Sequence, residues 1–153
     1  FRSFLPGFAS NFSLDLNYTY IRSESDGVQD QNGVERDDLD LPDTPPHLFN
    51  ASLGYSAQKF TARLSANFTD AYLTEVGGNE LEDIYYDQQF FLDLNASFNL
   101  NDHLSIYAGI NNLTNQPLRL YQGNTDLTTQ AEYFDRRITF GLKYDVFEKK
   151  GSD

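Results

Sequence analysis

Apolar and polar residues alternate strictly along six segments of the chain. In the first segment, residues 12–20, every even position from Phe12 to Tyr20 is apolar and every position between them is polar. A period of two predicts a β-strand with one apolar face and one polar face. The same pattern predicts five further strands, over residues 49–55, 60–68, 90–98, 104–110 and 138–146. No segment shows a convincing helical period, so the sequence predicts an all-β fold.

The connections between the predicted strands alternate between short and long. Residues 57–59 and 101–103 are short and polar, and each predicts a tight hairpin. The other three connections, over residues 22–46, 70–87 and 112–134, are long and are expected to be loops. This arrangement predicts an antiparallel meander whose two ends face different environments.

Two architectures can use such strands. In a soluble β-sandwich the apolar faces pack against each other, whereas in a transmembrane β-barrel they face lipid and the polar faces line the lumen. The predicted strands, of about 9–13 residues, can cross a bilayer at a tilt, and sandwich strands are commonly about 5–6 residues long. The alternation of loop length and the aromatic residues near strand ends, such as Tyr18, Tyr55 and Tyr144, also favour the barrel.

Composition removes several classes of function. The length of 153 residues fits one domain, and 23 acidic against 11 basic residues give a net charge of −12. That charge argues against nucleic acid as a partner. The absence of cysteine excludes disulfides, thiolate metal sites and a cysteine nucleophile. Because the chain has no methionine and starts at Phe1, we expect it to be processed or part of a longer protein.

Several short motifs follow one another along the chain. They are Phe4-Leu5-Pro6-Gly7-Phe8 leading into Asn17-Tyr18-Thr19-Tyr20, Leu41-Pro42 with His47-Leu48-Phe49-Asn50, Gly109-Ile110-Asn111-Asn112-Leu113-Thr114-Asn115-Gln116-Pro117, Tyr121-Gln122-Gly123, and Tyr133 to Arg136 followed by Ile138-Thr139-Phe140-Gly141-Leu142-Lys143-Tyr144. Their order resembles the C-terminal barrel segment of TonB-dependent outer-membrane receptors. The region around Asn112 resembles the strongest C-terminal motif of that family, and the last predicted strand resembles its closing strand.

This resemblance implies an antiparallel transmembrane β-barrel of about 22 strands with a plugged lumen. Residues 1–147 would be about six C-terminal strands of that barrel, residues 148–153 a periplasmic tail, and the plug domain would lie outside this chain. The implied location is the outer membrane of a Gram-negative bacterium. The implied partners are the rest of the receptor, TonB through the plug, the barrel-assembly machinery, lipopolysaccharide and membrane lipid.

The function implied by the resemblance is active import of a scarce nutrient, such as a ferric siderophore, haem, cobalamin or an oligosaccharide, energised through TonB. No cofactor is expected. Two other hypotheses remain open at this point: a passive outer-membrane channel assembled from a short chain, and a secreted β-sandwich used for adhesion or glycan binding. The chain has no nucleophile elbow, zinc-protease motif or glycine-rich dinucleotide motif, so no enzyme is predicted.

Two groups of residues are candidates for function. Polar positions near the outer mouth would contact the small nutrient ligand, with contacts to the plug and to lumen water as the alternative; they are Asn17, Asn67, Gln89 and Arg137. The closing strand would carry the assembly signal on Phe140, Leu142, Tyr144, Val146 and Phe147. In the family the final outward position is aromatic, whereas here Val146 holds that parity and Phe147 follows it.

The long connections are strongly acidic. Residues 22–46 contain eight acidic and two basic residues, and residues 70–87 contain six acidic and no basic residues. We interpret them mainly as solvated loops, with Ca²⁺ binding or cation bridging to lipopolysaccharide as the alternative. His47, near Asp43, and His103 are interpreted as structural or solvated rather than catalytic.

The two ends of the strand order make a further prediction. The strand over residues 138–146 is expected to pair with residues 104–111 and to leave its other edge free, and the first strand also has one free edge. Unpaired backbone groups are not tolerated in lipid. We therefore expect both edges to pair with strands outside this sequence rather than with each other.

Overall fold

The computed structural model describes residues 7–30 and 32–146, and this part of the chain is built almost entirely from antiparallel β-strands. A short 3₁₀ helix, Gly7–Asn11, precedes the first strand. The strands are β1 (Phe12–Tyr20), β2 (Val28–Gln29), β3 (Glu35–Arg36), β4 (His47–Ser56), β5 (Phe60–Thr69), β6 (Tyr72–Glu75), β7 (Ile84–Tyr86), β8 (Gln89–Asn99), β9 (Leu104–Asn111), β10 (Leu118–Gln122), β11 (Thr128–Glu132) and β12 (Arg137–Tyr144).

Six long strands form one sheet, which we call the main sheet, in the order β1-β4-β5-β8-β9-β12. Each neighbouring pair is antiparallel, so the predicted meander is confirmed. The strands contain 8 to 11 residues, slightly fewer than expected. The tight hairpins close one end, which we call the lower end, and the long connections leave from the opposite, upper end.

The register of the main sheet confirms the predicted division into two faces. Phe12 pairs with Tyr55, Leu53 with Leu64, and Leu64 with Leu94. Because paired residues point to the same side of a sheet, the even positions of five strands share one face with the odd positions of β4. The apolar positions of all six strands therefore form one apolar face, and the polar positions form the opposite polar face.

The last strand is shorter than predicted. β12 ends at Tyr144, which pairs with Leu104, the first residue of β9. One further backbone bond, from the Asp145 amide to the His103 carbonyl at 2.8 Å, follows that pair, and Val146 lies in a bend rather than in the strand. The prediction that Val146 belongs to the closing strand is therefore wrong. Phe147, the tail over residues 148–153 and the motif residues before Gly7 lie outside the described residues.

The long connections are not plain loops, contrary to the prediction. Residues 70–87 contain β6 and β7, and residues 112–134 contain β10 and β11. These four strands form a second sheet, the upper sheet, in the order β6-β7-β10-β11. That order follows β5-β8-β9-β12 below it, so each upper strand continues a strand of the main sheet. In the first long connection, β2 and β3 form a separate small hairpin.

The first upper hairpin continues the main sheet in register. Two residues (70 and 71) separate β5 from β6, and two (87 and 88) separate β7 from β8. Thr69 pairs with Gln89, and after the interruption Tyr72 pairs with Tyr86. Equal spacing on both strands preserves the parity of the faces, so Leu73 and Tyr85 lie on the same side as the polar face below.

The main sheet has no hydrophobic core of its own. The hydrophobic residues that are buried in the described part of the chain, Leu73 and Tyr121, both belong to the upper sheet. On the apolar face of the main sheet, Leu14 is 63 % exposed and Phe140 is 80 % exposed. Within residues 7–30 and 32–146, no helix is long and apolar enough to cross a membrane.

The strands β1 and β12 are the two edges of the main sheet. Within the described residues they are not paired with each other, and β12 pairs with β9 from Arg137 to Tyr144. The predicted pairing of the last strand is thus confirmed, and the described chain forms an open sheet.

Candidate functional site

Two of the four predicted ligand-contacting residues lie in one row on the polar face. Asn17 pairs with Asn50, and Asn50 pairs with Asn67, so three asparagines follow one another across β1, β4 and β5. All three are exposed. Neighbouring strands are about 4.8 Å apart, which places Asn17 and Asn67 about 10 Å apart with Asn50 between them. Asn50 was not predicted because the polar positions of β1 and β5 are odd-numbered, whereas those of β4 are even-numbered.

The other two predicted residues lie apart from this row. Gln89 pairs with Thr69 at the top of the polar face, above Asn67. Arg137 lies on the opposite edge strand, where its guanidinium donates to Asn111 Oδ1 at 3.3 Å. Two strands, β8 and β9, lie between β5 and β12, the strand that carries Arg137. The four residues therefore share the polar face of the main sheet without forming one cluster.

Two glycines on the polar face of the main sheet are covered by side chains of the neighbouring strand. A Cβ atom on Gly141 would meet the Tyr107 ring, and one on Gly109 would lie 2.7 Å from Asn95 Oδ1. The Tyr107 ring thus covers a glycine on the neighbouring strand, a known means of stabilising glycine in a sheet. A hollow of about 540 Å³ lies in the same region, with Arg63 and Asn95 on its lining.

The motif around Asn112 is a turn that links the two sheets. Asn112 adopts a left-handed conformation with φ of 54°, which asparagine tolerates better than most residues. Its side-chain amide donates to the Gln116 carbonyl at 3.1 Å, and its side-chain oxygen accepts from the Gln116 amide at 2.8 Å. Its backbone amide donates to Asp93 Oδ1 at 2.9 Å. Asn112 is therefore the centre of the turn.

The rest of this turn is attached to β8 and to the segment that precedes β12. The Leu113 amide donates to the Leu92 carbonyl at 2.7 Å, and the Thr114 hydroxyl donates to the Phe90 carbonyl at 2.8 Å. Arg136 Nε donates to the Leu113 carbonyl at 2.9 Å. Six residues (112–117) separate β9 from β10, while four (133–136) separate β11 from β12. The turn thus accommodates two residues more than the facing segment between β11 and β12. Its role is structural.

The polar-side face of the upper sheet holds a compact aromatic cluster. The Tyr85 and Tyr121 rings are stacked, with centroids 5.3 Å apart, and Leu73 pairs with Tyr85 on the same face. Burial raises the pKa of both tyrosines above the usual value. The Arg119 guanidinium lies 5.8 Å from the Tyr121 ring and donates to Asp87 Oδ2 at 2.8 Å. Arg119 is thereby held between an aromatic ring and a carboxylate.

A buried ion pair connects the first long connection to the upper sheet. Asp83 is 1 % exposed, and its two carboxylate oxygens accept from Arg36 at 2.6 Å and 3.0 Å. The Gly77 amide also donates to Asp83 Oδ1 at 2.8 Å, and the Gly123 amide donates to the Asp83 carbonyl at 2.8 Å. The hydrogen bond to Asp83 raises the pKa of Arg36 above its usual value. Asp83 therefore joins all three long connections.

Several carboxylates of the first connection accept hydrogen bonds from its own backbone amides. Asp30 is 8 % exposed, and its Oδ1 accepts from the amides of Asn32 and Val34 at 2.7 Å and 2.8 Å. Asp37 accepts from the Gly27 amide at 2.8 Å. In the described ranges, no group of three or more His, Asp or Glu residues is placed to hold a metal ion. These bonds explain the Asp30 segment as a tight turn.

The two histidines contact neighbouring aromatic or backbone groups. His47 Nδ1 lies 2.9 Å from the Tyr18 hydroxyl, and its ring lies against Tyr20 with centroids 5.2 Å apart. His103 Nδ1 lies 3.1 Å from the Asp145 carbonyl at the lower end. The Asp43 amide donates to the Leu73 carbonyl. These contacts agree with the structural interpretation of both histidines.

Comparison with protein-family models matches residues 3–113 to the family described as TonB dependent receptor-like, beta-barrel. Comparisons with curated proteins and with solved structures returned no significant match. The matched residues include β1 to β9 of the described chain, and the antiparallel all-β architecture agrees with the family. Because the match covers well over half of the sequence, the chain belongs to the TonB-dependent receptor-like β-barrel family.

Proposed function

We propose that this chain is part of an outer-membrane receptor that imports a scarce nutrient with energy supplied through TonB. The observation that carries the proposal is the exposed apolar face of the main sheet in a chain that belongs to this receptor family. Leu16 and Leu142 on that face are 62 % and 66 % exposed. An apolar face of this extent requires a cover, and membrane lipid is the cover that a barrel strand has.

The open edges support membership of a larger barrel. The backbone groups of β1 and β12 that point away from the main sheet need partners in lipid, because each unpaired group costs several kcal/mol there. We propose that strands outside this sequence pair with both edges to complete a barrel of about 22 strands. In that barrel the polar face lines the lumen and contacts a plug domain, which in turn contacts TonB.

The upper part of the polar face is the proposed ligand-contacting surface within this chain. Asn17, Asn67, Gln89 and Arg137 retain that proposed role, and Asn50 joins them because it lies between two of them. Side-chain amides donate and accept hydrogen bonds, so this row suits a ligand rich in hydroxyl or carbonyl groups. Residues of the upper sheet would then form the adjoining wall of the mouth.

A growth and uptake experiment tests the transport proposal. Cells that express the protein are supplied with labelled ferric siderophores, haem, cobalamin or oligosaccharides, in strains with and without TonB. We expect accumulation of one of these nutrient classes that disappears without TonB. Equal uptake in both strains would instead identify a passive channel, and recovery of the protein in soluble secreted form would favour an adhesion or glycan-binding domain.

Substitutions on the polar face test the ligand-contacting row. Asn17→Ala and Asn67→Ala should each weaken binding of the imported nutrient by about tenfold, as expected for loss of one or two hydrogen bonds. Asn99→Ala is the matched control, because Asn99 is also an exposed strand asparagine but lies at the lower end. An equal effect of all three substitutions would contradict the assignment of the row.

A further inference from the structure

The first long connection, residues 22–46, is hydrogen-bonded to the upper sheet. The Asp43 amide donates to the Leu73 carbonyl at 2.8 Å, so the connection adds backbone pairing to the free edge of β6. Earlier in the connection, the Arg36 guanidinium donates to Asp83 Oδ1 and, at 3.1 Å, to the Gly77 carbonyl. The connection is therefore attached to the upper sheet at two separated points.

The polar-side face of the upper sheet is better buried than the opposite face. Leu73 and Tyr121 on this face are 3 % and 8 % exposed, whereas Tyr72 and Tyr86 on the opposite face are only half-buried. Asp83 immediately precedes β7, the strand that contains Tyr85. The ion pair with Arg36 therefore lies at the end of a strand that carries one of the stacked tyrosines.

The ion pair has the geometry of a stable contact. Two parallel hydrogen bonds join the guanidinium to the carboxylate, and further bonds to Gly77 satisfy both groups. Within the described residues, no buried side-chain polar atom lacks a hydrogen-bond partner. In the intact pair the two charges compensate each other. Removing one member leaves an uncompensated buried charge and is strongly destabilising.

From these contacts we propose that Arg36 and Asp83 form a latch that holds the first long connection against the upper sheet. The connection is then a fixed part of the upper end rather than a mobile lid. This inference depends on the contacts among the three long connections and does not depend on what the protein transports or on TonB.

Limited trypsin digestion of the full protein, purified in detergent, tests the latch. Cleavage after Arg36 requires the connection to open, because the Arg36 side chain is only 14 % exposed, whereas Arg22 is 79 % exposed and serves as an internal standard. When opening is fast relative to cleavage, the cleavage rate reports the population of the open form. In the native protein we expect rapid cleavage after Arg22 and slow cleavage after Arg36.

Two variants and one control determine the outcome. Asp83→Asn should accelerate cleavage after residue 36 by about 100-fold or more, while cleavage after Arg22 stays unchanged. Glu75→Gln removes an exposed negative charge from the second long connection, which also contains Asp83, and it should change neither rate by more than about twofold. Arg36→Lys keeps the charge and a trypsin site but loses the paired hydrogen bonds, and it should accelerate cleavage by about tenfold.

The folded state of each variant is checked by its heat-dependent migration. If Asp83→Asn does not fold, Arg36→Lys decides the question on its own. Acceleration in the latch variants with no change in the control supports the latch. Cleavage after Arg36 as fast as after Arg22 in the native protein, or equal rates in the native protein and both latch variants, would overturn it.

Discussion

At the residue scale, Asn112 shows how one side chain can hold the junction between two sheets. Its positive φ turns the chain, and its side-chain amide and oxygen both bond the Gln116 backbone. Aspartate could accept the same bond but could not donate. The motif therefore has a physical explanation in the turn itself, and no ligand is needed to account for it.

Substitution of Asn112 tests this explanation. Asn112→Ala loses the side-chain bonds and places alanine in the left-handed region, which alanine tolerates less well than asparagine, so the free energy of unfolding should fall by about 2–3 kcal/mol. Asn112→Gly also loses the side-chain bonds, but glycine adopts a positive φ freely. Its free energy of unfolding should therefore fall by about 1 kcal/mol less than that of Asn112→Ala. Urea unfolding in detergent measures both values, and equal destabilisation by the two substitutions would argue against the backbone contribution.

The stacked tyrosines predict an alkaline limit for the upper sheet. Because burial raises the pKa of Tyr85 and Tyr121 in the folded protein, the folded state holds these protons more tightly than the unfolded state. The resulting stability is complete below the usual tyrosine pKa of about 10 and is lost as the pH rises through the raised values.

Hydrogen exchange of β10 as a function of pH measures this loss, after correction for the intrinsic exchange rate. Tyr121→Phe should weaken the alkaline loss of protection, because the ionisable hydroxyl is removed from the buried stack. Tyr133→Phe is the control, since Tyr133 is 69 % exposed. If protection fell with pH equally in both variants and in the native protein, the tyrosine stack would not be its source.

At the scale of elements, the sequence predicted the main strands well and the upper strands not at all. The alternation in β5 is long and strict, because one whole face is apolar and the other polar. The upper strands are short, β7 being three residues, Ile-Tyr-Tyr. Strands this short have too few positions for a period of two to be recognised in the sequence.

The candidate site was predictable only in part for the same reason. Asn17 and Asn67 follow from parity alone, because both lie on polar positions near strand tops. The Arg36–Asp83 pair joins residues 47 positions apart in the sequence, and an acidic segment gives no signal about which carboxylate is buried. Asp83 could be found only from the three-dimensional arrangement of the long connections.

Neighbouring positions in β5 test the assignment of the two faces. Leu64 pairs with Leu53 and Leu94 on the apolar face, whereas Ser65 pairs with Ser52 and Asp93 on the polar face. An arginine on a lipid-facing barrel position costs about 2–4 kcal/mol at the midplane. Leu64→Arg should therefore block membrane insertion and Ser65→Arg should be tolerated, as measured by the heat-modifiable folded fraction. Equal tolerance of both would contradict the barrel.

At the scale of the whole molecule, the two ends of the main sheet differ in construction. The lower end has tight hairpins, and the upper end carries a second sheet and an acidic surface. In outer-membrane barrels the long connections are extracellular and the short turns periplasmic. The proposal thus gives the molecule a definite orientation in the membrane.

Protease added to intact cells tests that orientation. Trypsin should cut after the exposed Arg22 and should spare the tail, including Lys149 and Lys150. Mass spectrometry of the released and retained fragments identifies the cut sites. Cleavage at Lys149 in sealed cells, with Arg22 protected, would mean that the protein is inserted in the opposite direction.

The central claim is that the main sheet spans the membrane with its apolar face in lipid. Because the chain has no cysteine, single cysteines can be placed in turn at each position of β5 and spin-labelled in membrane vesicles. We predict a period of two: labels at even positions 62–68 are accessible to oxygen in lipid, and labels at odd positions to a water-soluble relaxation agent. Even positions that are shielded from both agents, as in the core of a soluble sandwich, would contradict the account.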